Sequence, residues 1–215
     1  CAHNGNLTNT ESIKKALVET GSIFQTSSDT EIILQLVARS KNHSLIDKII
    51  DALSQVKGAY SLIILANDQM IGIRDPYGIR PLVLGNKDGA PVLASETCAL
   101  NMIGAEYSRD VKNGEIVVIS SNGIDSIRPF ENFNERPCIF EIIYFARPDS
   151  LIKGQTVYTY RKNLGKELAF ENNVKADVVV PIPDSGIPAA LGFSQESGIP
   201  FEFGIIRSNY VGRTF

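Results

Sequence analysis

An amide side chain beside a glycine N–H is a pair of donors that can be aimed at one point. Asn4 and Gly5 form such a pair within Ala2-His3-Asn4-Gly5-Asn6-Leu7-Thr8-Asn9. Converging donors of this kind hold the oxyanion that develops when an amide carbonyl is attacked. Asn-Gly also marks sharp turns, because both residues tolerate positive φ, so a polar surface turn is the plainer meaning of the same residues. Asp29, in Ser27-Ser28-Asp29-Thr30-Glu31, is a second candidate: a carboxylate is the natural partner of an ammonium group. At the first position of a helix, however, the macrodipole favours a carboxylate with no ligand present. A third candidate is Pro181-Ile182-Pro183-Asp184-Ser185-Gly186, which lies between an apolar run and a helical pattern. In open α/β sheets ligands bind at such a junction, where helix N–H groups face anions.

Taken in order, these stretches resemble a known family. Residues 3–9 and 27–31 are joined by Arg74-Asp75-Pro76-Tyr77-Gly78-Ile79-Arg80-Pro81-Leu82 and Ala94-Ser95-Glu96-Thr97-Cys98-Ala99-Leu100. Further on come Cys138-Ile139-Phe140-Glu141, Tyr144-Phe145-Ala146-Arg147-Pro148-Asp149-Ser150, residues 181–185 and Asn209-Tyr210-Val211-Gly212-Arg213-Thr214-Phe215. Together they resemble the amidophosphoribosyltransferase family, from the first residue to the last. The early motifs alone would fit other glutamine amidotransferases, such as glucosamine-phosphate synthases or asparagine synthetases. Residues 144–150 and 209–215 narrow the match. A non-catalytic phosphoribosyl-binding regulator would keep the phosphate loop but not the amide site, so retention of residues 3–9 and 27–31 weighs against it.

The resemblance implies transfer of the glutamine amide nitrogen to 5-phosphoribosyl 1-pyrophosphate (PRPP), giving 5-phosphoribosylamine, glutamate and pyrophosphate in purine synthesis. It makes Asn4 and Gly5 the oxyanion hole and Asp29 the partner of the glutamine α-amino group. It assigns Asp184, Ser185, Gly186, Tyr210 and Arg213 to PRPP and pyrophosphate, with Ser185 at a Mg²⁺ site. A lone hydroxyl is a weak metal ligand, and the Asp-Asp pair that would complete that site is not in this sequence. Cys138 stands where iron–sulfur members carry a ligand of a [4Fe-4S] cluster; a buried apolar thiol is the alternative. Purine nucleotides as inhibitors, an apolar ammonia path lined by residues 138–145 and a cytoplasmic homotetramer are implied as well. The family's nucleophile is a mature N-terminal Cys, but that Cys opens a segment far upstream of the His-Asn-Gly motif. Cys1, two residues before that motif, is expected instead to end a strand. Set against the family, residues are missing at both ends, so the chain is expected to be an internal fragment without activity of its own.

The elements that must position these residues follow from periodicity. Thr8 with Glu11 and Ser28 with Glu31 have capping-box spacing and predict helices from residues 9 or 10 and from 29. Ile13, Leu17 and Val18 face the first, Gly21 stops it, and Ile32, Ile33, Leu36 and Val37 face the second. Leu45, Ile49 and Leu53 mark a third helix ending near Gly58. Strands are predicted at 59–66, 70–74, 81–85, 92–95, 115–119 and 124–127, with a short helix at 97–103. Polar residues 128–137 form the boundary. Beyond it, helices at 158–170 and 187–197 alternate with buried parallel strands at 176–182 and 199–206. The fold class is therefore an α+β sandwich with αββα layers, of the N-terminal-nucleophile glutaminase type and truncated at its start. The beginning of an α/β phosphoribosyltransferase-type domain follows. The domains are placed at 1–128, an interdomain segment at 129–150, and 151–215. His3 is expected to be structural, and Arg74, Asp75, Arg80 and Glu96 to shape the glutaminase pocket through ion pairs.

Composition bounds the rest. The 215 residues are 43% hydrophobic and 21% charged with net charge −3, ordinary for a globular chain and unsuited to nucleic acid or an anionic surface. No apolar run approaches the roughly 20 residues that span a bilayer. The cysteines Cys1, Cys98 and Cys138 are odd in number and scattered, which fits a reducing cytoplasm rather than a disulfide framework.

Overall fold

The computed structural model describes residues 1–66, 68–130 and 134–212. The chain divides into two compact units, Cys1–Cys138 and Ile139–Phe215. The break falls inside the stretch assigned above to an interdomain segment, which splits between the units. Arg136 donates its N–H to Tyr77 O and Cys138 its N–H to Ile79 O, and these bonds hold residues 134–138 to the first unit.

The first unit opens with strand β1 (Ala2–Leu7) and helices α1 (Thr10–Glu19), α2 (Asp29–Arg39) and α3 (Leu45–Gln55). Strands β2 (Gly58–Ala66), β3 (Gln69–Arg74), β4 (Val83–Lys87) and β5 (Ala90–Ala94) follow, then helix α4 (Thr97–Met102) and strands β6 (Glu106–Asp110), β7 (Ile116–Ser120) and β8 (Gly123–Ile127). They form an antiparallel sheet in the order β1-β2-β3-β7-β8 and a smaller one in the order β5-β4-β6.

Side-chain alternation sorts the apolar residues into three stacked cores. Leu62, Ile64, Ile71, Ile73 and Ile116 meet Leu17, Ile32, Ile33, Leu36, Ile49 and Leu53 of the helices. On the opposite face Ile63, Val117 and Ile119 meet Leu82, Leu93 and Val111. Val83 and Val92, on the far side of the smaller sheet, meet Leu100 of α4. Helices, sheet, sheet and helix thus stack in four layers.

Local chemistry sets the ends. The Ser28 hydroxyl caps α2 by accepting from Thr30 N–H, and Ser44 caps α3 by accepting from Asp47 N–H, as Ser is suited to do. The capping box predicted at Thr8 does not form: Asn9 stands at the N-cap of α1 with no side-chain cap bond, while the Thr8 hydroxyl donates to Lys57 O. Glu31 reaches past its cap to accept the N–H groups of Gln25 and Thr26, both at 2.8 Å. β6 was not foreseen, because Glu-Tyr-Ser-Arg-Asp carries no apolar alternation; it is an edge strand held by β4.

The second unit holds a π-helical turn (Glu141–Phe145), a short hairpin of β9 (Leu151–Ile152) and β10 (Gln155–Thr156), and helices α5 (Val157–Glu171) and α6 (Ile187–Ser197). A β-carbon at Gly165 would sit 1.8 Å from Ala189 O, and one at Gly192 would sit 1.9 Å from Lys162 O. The helices therefore cross with backbone against backbone. The two buried parallel strands predicted here are not formed. One parallel bridge, Val179 to Phe201, stands in their place, with Val179 N–H donating to Pro200 O at 2.8 Å and Glu202 N–H to Val179 O at 3.0 Å. Val178, Val180, Ile182, Phe203 and Ile205 are exposed, so the described residues give these runs neither the neighbours nor the covered faces that a parallel strand requires. Among the described residues no helix is long and apolar enough to cross a membrane.

Candidate functional site

Asn4 and Gly5 do not lie on a turn. β1 runs straight through them, with Asn4 opposite Ser61 and Gly5 opposite Tyr60, and Cys1 precedes this strand rather than ending one. Close approach explains the glycine better than turn geometry does. A β-carbon at Gly5 would lie 2.0 Å from Ala59 O and 2.8 Å from His3 Nε2, so a side chain here would push apart both the strands and the imidazole ring above them.

β1 is the edge of its sheet, and the ladder fixes which N–H groups face outward. Thr8 N–H donates inward to Lys57 O at 2.7 Å. Leu7 N–H, one residue earlier, turns outward and donates to Asp29 Oδ2 at 3.1 Å. Because an antiparallel ladder repeats every second residue, Gly5 N–H points to the same open edge, about 7 Å along it. Asp29 begins α2, as its spacing predicted. Its other oxygen lies 3.3 Å from Nδ1 of His3, whose side chain is 3% exposed. His3 Nε2 lies 3.4 Å from Ala59 O and Nδ1 lies 3.3 Å from Thr30 Oγ1. A carbonyl oxygen only accepts, so Nε2 carries a proton. Nδ1 is then placed to accept a hydrogen bond from the Thr30 hydroxyl.

Asn4 leaves β1 on the other face. Its Oδ1 accepts from Arg80 Nη2 at 2.7 Å. No hydrogen bond joins Asn4 to Asp29 among the described residues; what Asp29 shares with the motif is the strand edge and His3. Arg80 is held in turn. Its carbonyl accepts from Arg74 Nε at 2.9 Å and from Ser61 Oγ at 3.2 Å. Buried Asp75 accepts the N–H groups of Tyr60, Tyr77, Ile79 and Arg80. Burial pushes the Asp75 carboxyl upward, and those N–H bonds offset only part of the effect. Arg74 and Asp75 therefore build the loop by hydrogen-bonding its backbone, not by the ion pairs expected of them.

In the second unit, Asp184 and Ser185 line a cleft of about 720 Å³ together with Tyr144, Arg147, Arg161 and Arg207. The Pro183–Asp184 peptide is cis. Asp184 Oδ2 pairs with Arg207 Nη1 at 2.8 Å. Arg161, 3% exposed, donates Nε to Ile142 O at 2.6 Å and Nη2 to Ala146 O at 2.9 Å. Arg147 grips Asp149 through two bonds of 3.0 Å, which hold that carboxyl below its usual range. Gly186 caps α6, but its N–H donates back to Ile182 O and that of Ile187 donates to Asp184 O. Pro188 has no N–H, so the loop offers the cleft the side chains of Asp184 and Ser185 more than a fan of amides. Tyr210 is exposed, and Arg213 lies outside the described residues.

The residues expected to complete either implied metal site, an Asp-Asp pair beside Ser185 and the further cysteines beside Cys138, were placed outside this sequence. Among the described residues no three His, Cys, Asp or Glu side chains converge. Cys138 is half-buried and free, and Asp184 is already paired with Arg207. Cys98 is buried within α4.

Comparison with known proteins places this geometry. Residues 1–102 match the glutamine amidotransferase domain model. The amidophosphoribosyltransferase of Rhizobium etli is 54% identical over 219 residues, covering 100% of this chain and 44% of that protein. That of Bacillus subtilis is 50% identical over 214 residues, covering 100% and 45%. The solved glutamine PRPP amidotransferase of B. subtilis, complexed with ADP and GMP, superposes with a TM-score of 0.95 at 50% identity, covering 100% of this chain and 47% of that one. The chain spans less than half the length of these relatives. Matched at this identity along its whole length, it belongs to the amidophosphoribosyltransferase family.

Proposed function

We propose that this chain contributes to a glutamine-dependent PRPP amidotransferase. Glutamine is hydrolysed at the open edge of β1, and the released ammonia is passed to PRPP, forming 5-phosphoribosylamine, glutamate and pyrophosphate. The observation that carries this reading is the shared edge. The Asp29 carboxylate stands about two residues along β1 from the outward N–H of Gly5. Glutamine's α-ammonium and its amide carbonyl are separated by a comparable length of chain. Asp29 would take the ammonium, with a charge-assisted bond. Gly5 N–H and Asn4 Nδ2 would hold the oxyanion, and removing one such donor raises the barrier by about 3 kcal/mol.

Cys1 is not the attacking group in this scheme. It is exposed at the entry of the strand that carries the donors, two residues before His3-Asn4-Gly5. In the second unit the cleft beside α6, with Ser185 and Asp184 at its wall, is the proposed place of the phosphoribosyl substrate in an α/β phosphoribosyltransferase-type domain. Purine nucleotides are proposed to compete there.

The test is steady-state assay of the full-length protein, with glutamate release and PRPP-dependent pyrophosphate release measured separately. Glutamate release that depends on Asp29, and pyrophosphate release that depends on glutamine or ammonia, are the expected outcomes. A full-length protein that releases no glutamate from glutamine would rule the reading out.

A further inference from the structure

We propose that Arg80 is the positioning residue of the oxyanion hole, setting which end of the Asn4 amide is presented to substrate. This rests on the preceding assignment of Asn4 as a donor. An Asn side chain has two chemically opposite ends of nearly equal size, and rotation by half a turn would offer the oxygen, an acceptor, to a developing negative charge. A free Asn on a strand samples both orientations.

Arg80 removes that freedom. A guanidinium has only donors, and Nη2 stands 2.7 Å from Asn4 Oδ1. The oxygen is therefore committed to Arg80, and Nδ2 is the end left to donate. A bond to a charged donor is about twice as strong as a neutral one, so the reversed amide would meet N–H groups with N–H groups.

The arginine is itself prevented from drifting. Its N–H lies 3.4 Å from Asp75 Oδ2, its carbonyl accepts from Arg74 Nε and Ser61 Oγ, and Arg74 also donates to Gly78 O at 3.0 Å and to Val111 O at 2.8 Å. Ser61 is the residue opposite Asn4 across the ladder. The strand pair that carries Asn4 and the loop that orients it are thereby locked together. The positive guanidinium behind the amide also polarises Nδ2–H toward better donation.

A double-mutant cycle in the full-length protein tests this, with kcat and KM for glutamine hydrolysis determined separately. Asn4→Ala should lower kcat by about 100-fold. Arg80→Met should lower it by 10- to 100-fold with KM for glutamine within about twofold of wild type. The double variant should be no slower than Asn4→Ala alone, because the arginine acts only through the amide. Arg80→Lys, which keeps one charged donor, should lose less than Arg80→Met, and its loss should also vanish once Asn4 is Ala. Losses that multiply in the double variant, as a general weakening of the fold would give, overturn the proposal; so does Arg80→Met at wild-type kcat. Should Arg80→Met not fold, the lysine series decides by the same cycle, and a lysine variant that loses nothing counts against it. An unchanged kcat for Asn4→Ala would instead remove the oxyanion assignment itself, separating that failure from this one.

Discussion

Asp29 takes the Leu7 N–H with Oδ2 at 3.1 Å, although the two residues are 22 apart in sequence. The bond fastens the start of α2 to the unpaired margin of β1, so one carboxylate closes the structure and is also the one proposed to take the substrate ammonium.

Substituting this carboxylate should separate its two roles. Asp29→Asn keeps an oxygen for Leu7 N–H but loses the charge, so its melting temperature should stay near wild type. Its KM for glutamine should rise roughly 10- to 100-fold, as loss of a hydrogen bond to a charged group implies. Asp29→Ala should show the same KM defect and also lose about 1 kcal/mol of stability at the helix start. An unchanged KM in Asp29→Asn would show that the carboxylate is purely structural.

Gly5→Ala should destabilise the first unit, because the new carbon would lie 2.0 Å from Ala59 O. Relief requires β1 to move off β2, and overpacking of this kind costs about 1–3 kcal/mol. A lowered urea midpoint, with faster amide exchange at the β2 positions bonded to β1, is the expected result. Equal exchange across the whole sheet would mean that the strain is not local.

The Glu115 carboxylate should set an acid limb of the stability curve. It is 2% exposed and accepts from both terminal nitrogens of Arg109, at 2.9 and 2.7 Å, from Lys112 N–H at 2.6 Å and from the Ser126 hydroxyl. Burial alone would push its pKa up, yet the bonds from Arg109, Ser126 and Lys112 outweigh burial and bring it below 4.5. With the native pKa lowered, the unfolded chain binds more protons through the window just below 4.5, so stability rises with pH there and is lost as pH falls. Glu115→Gln should cost about 3 kcal/mol at neutral pH, and the gap to wild type should narrow below pH 4.5. A gap that stays constant down to pH 3 would contradict this.

Gly165→Ala should loosen the second unit, since the added carbon would fall 1.8 Å from Ala189 O. The helices cannot stay in register at that distance, and a loss of 2 kcal/mol or more is expected from overpacking. Gly192→Ala, placed symmetrically against Lys162 O, should do the same. Alanine at the exposed helix position Leu168 serves as the control and should shift the melt little.

Much of the first unit was legible because its signals are local. Ile32, Ile33 and Leu36 recur at helical spacing behind a serine cap, and Leu62 and Ile64 alternate with Ile63 between two cores. What stayed hidden depends on partners distant in sequence. Asn-Gly reads as a turn until the ladder with β2 is seen, and nothing near Asn4 announces Arg80, 76 residues on. The carboxylate beside His3 is likewise distant in sequence, since α2 brings Asp29 to it. In the second unit the apolar runs at 176–182 and 199–206 have strand composition, but composition cannot supply the neighbouring strands that would pair them.

His3 and Asn4 are consecutive, yet one looks toward the helices and the other between the sheets. A shift of β1 by a single position against β2 would exchange them, sending the imidazole to the guanidinium and the amide to the carboxylate. Insertions or deletions within residues 3–7 should therefore abolish chemistry outright even where folding survives. The arrangement has parity built into it, and only an even displacement would preserve its sense.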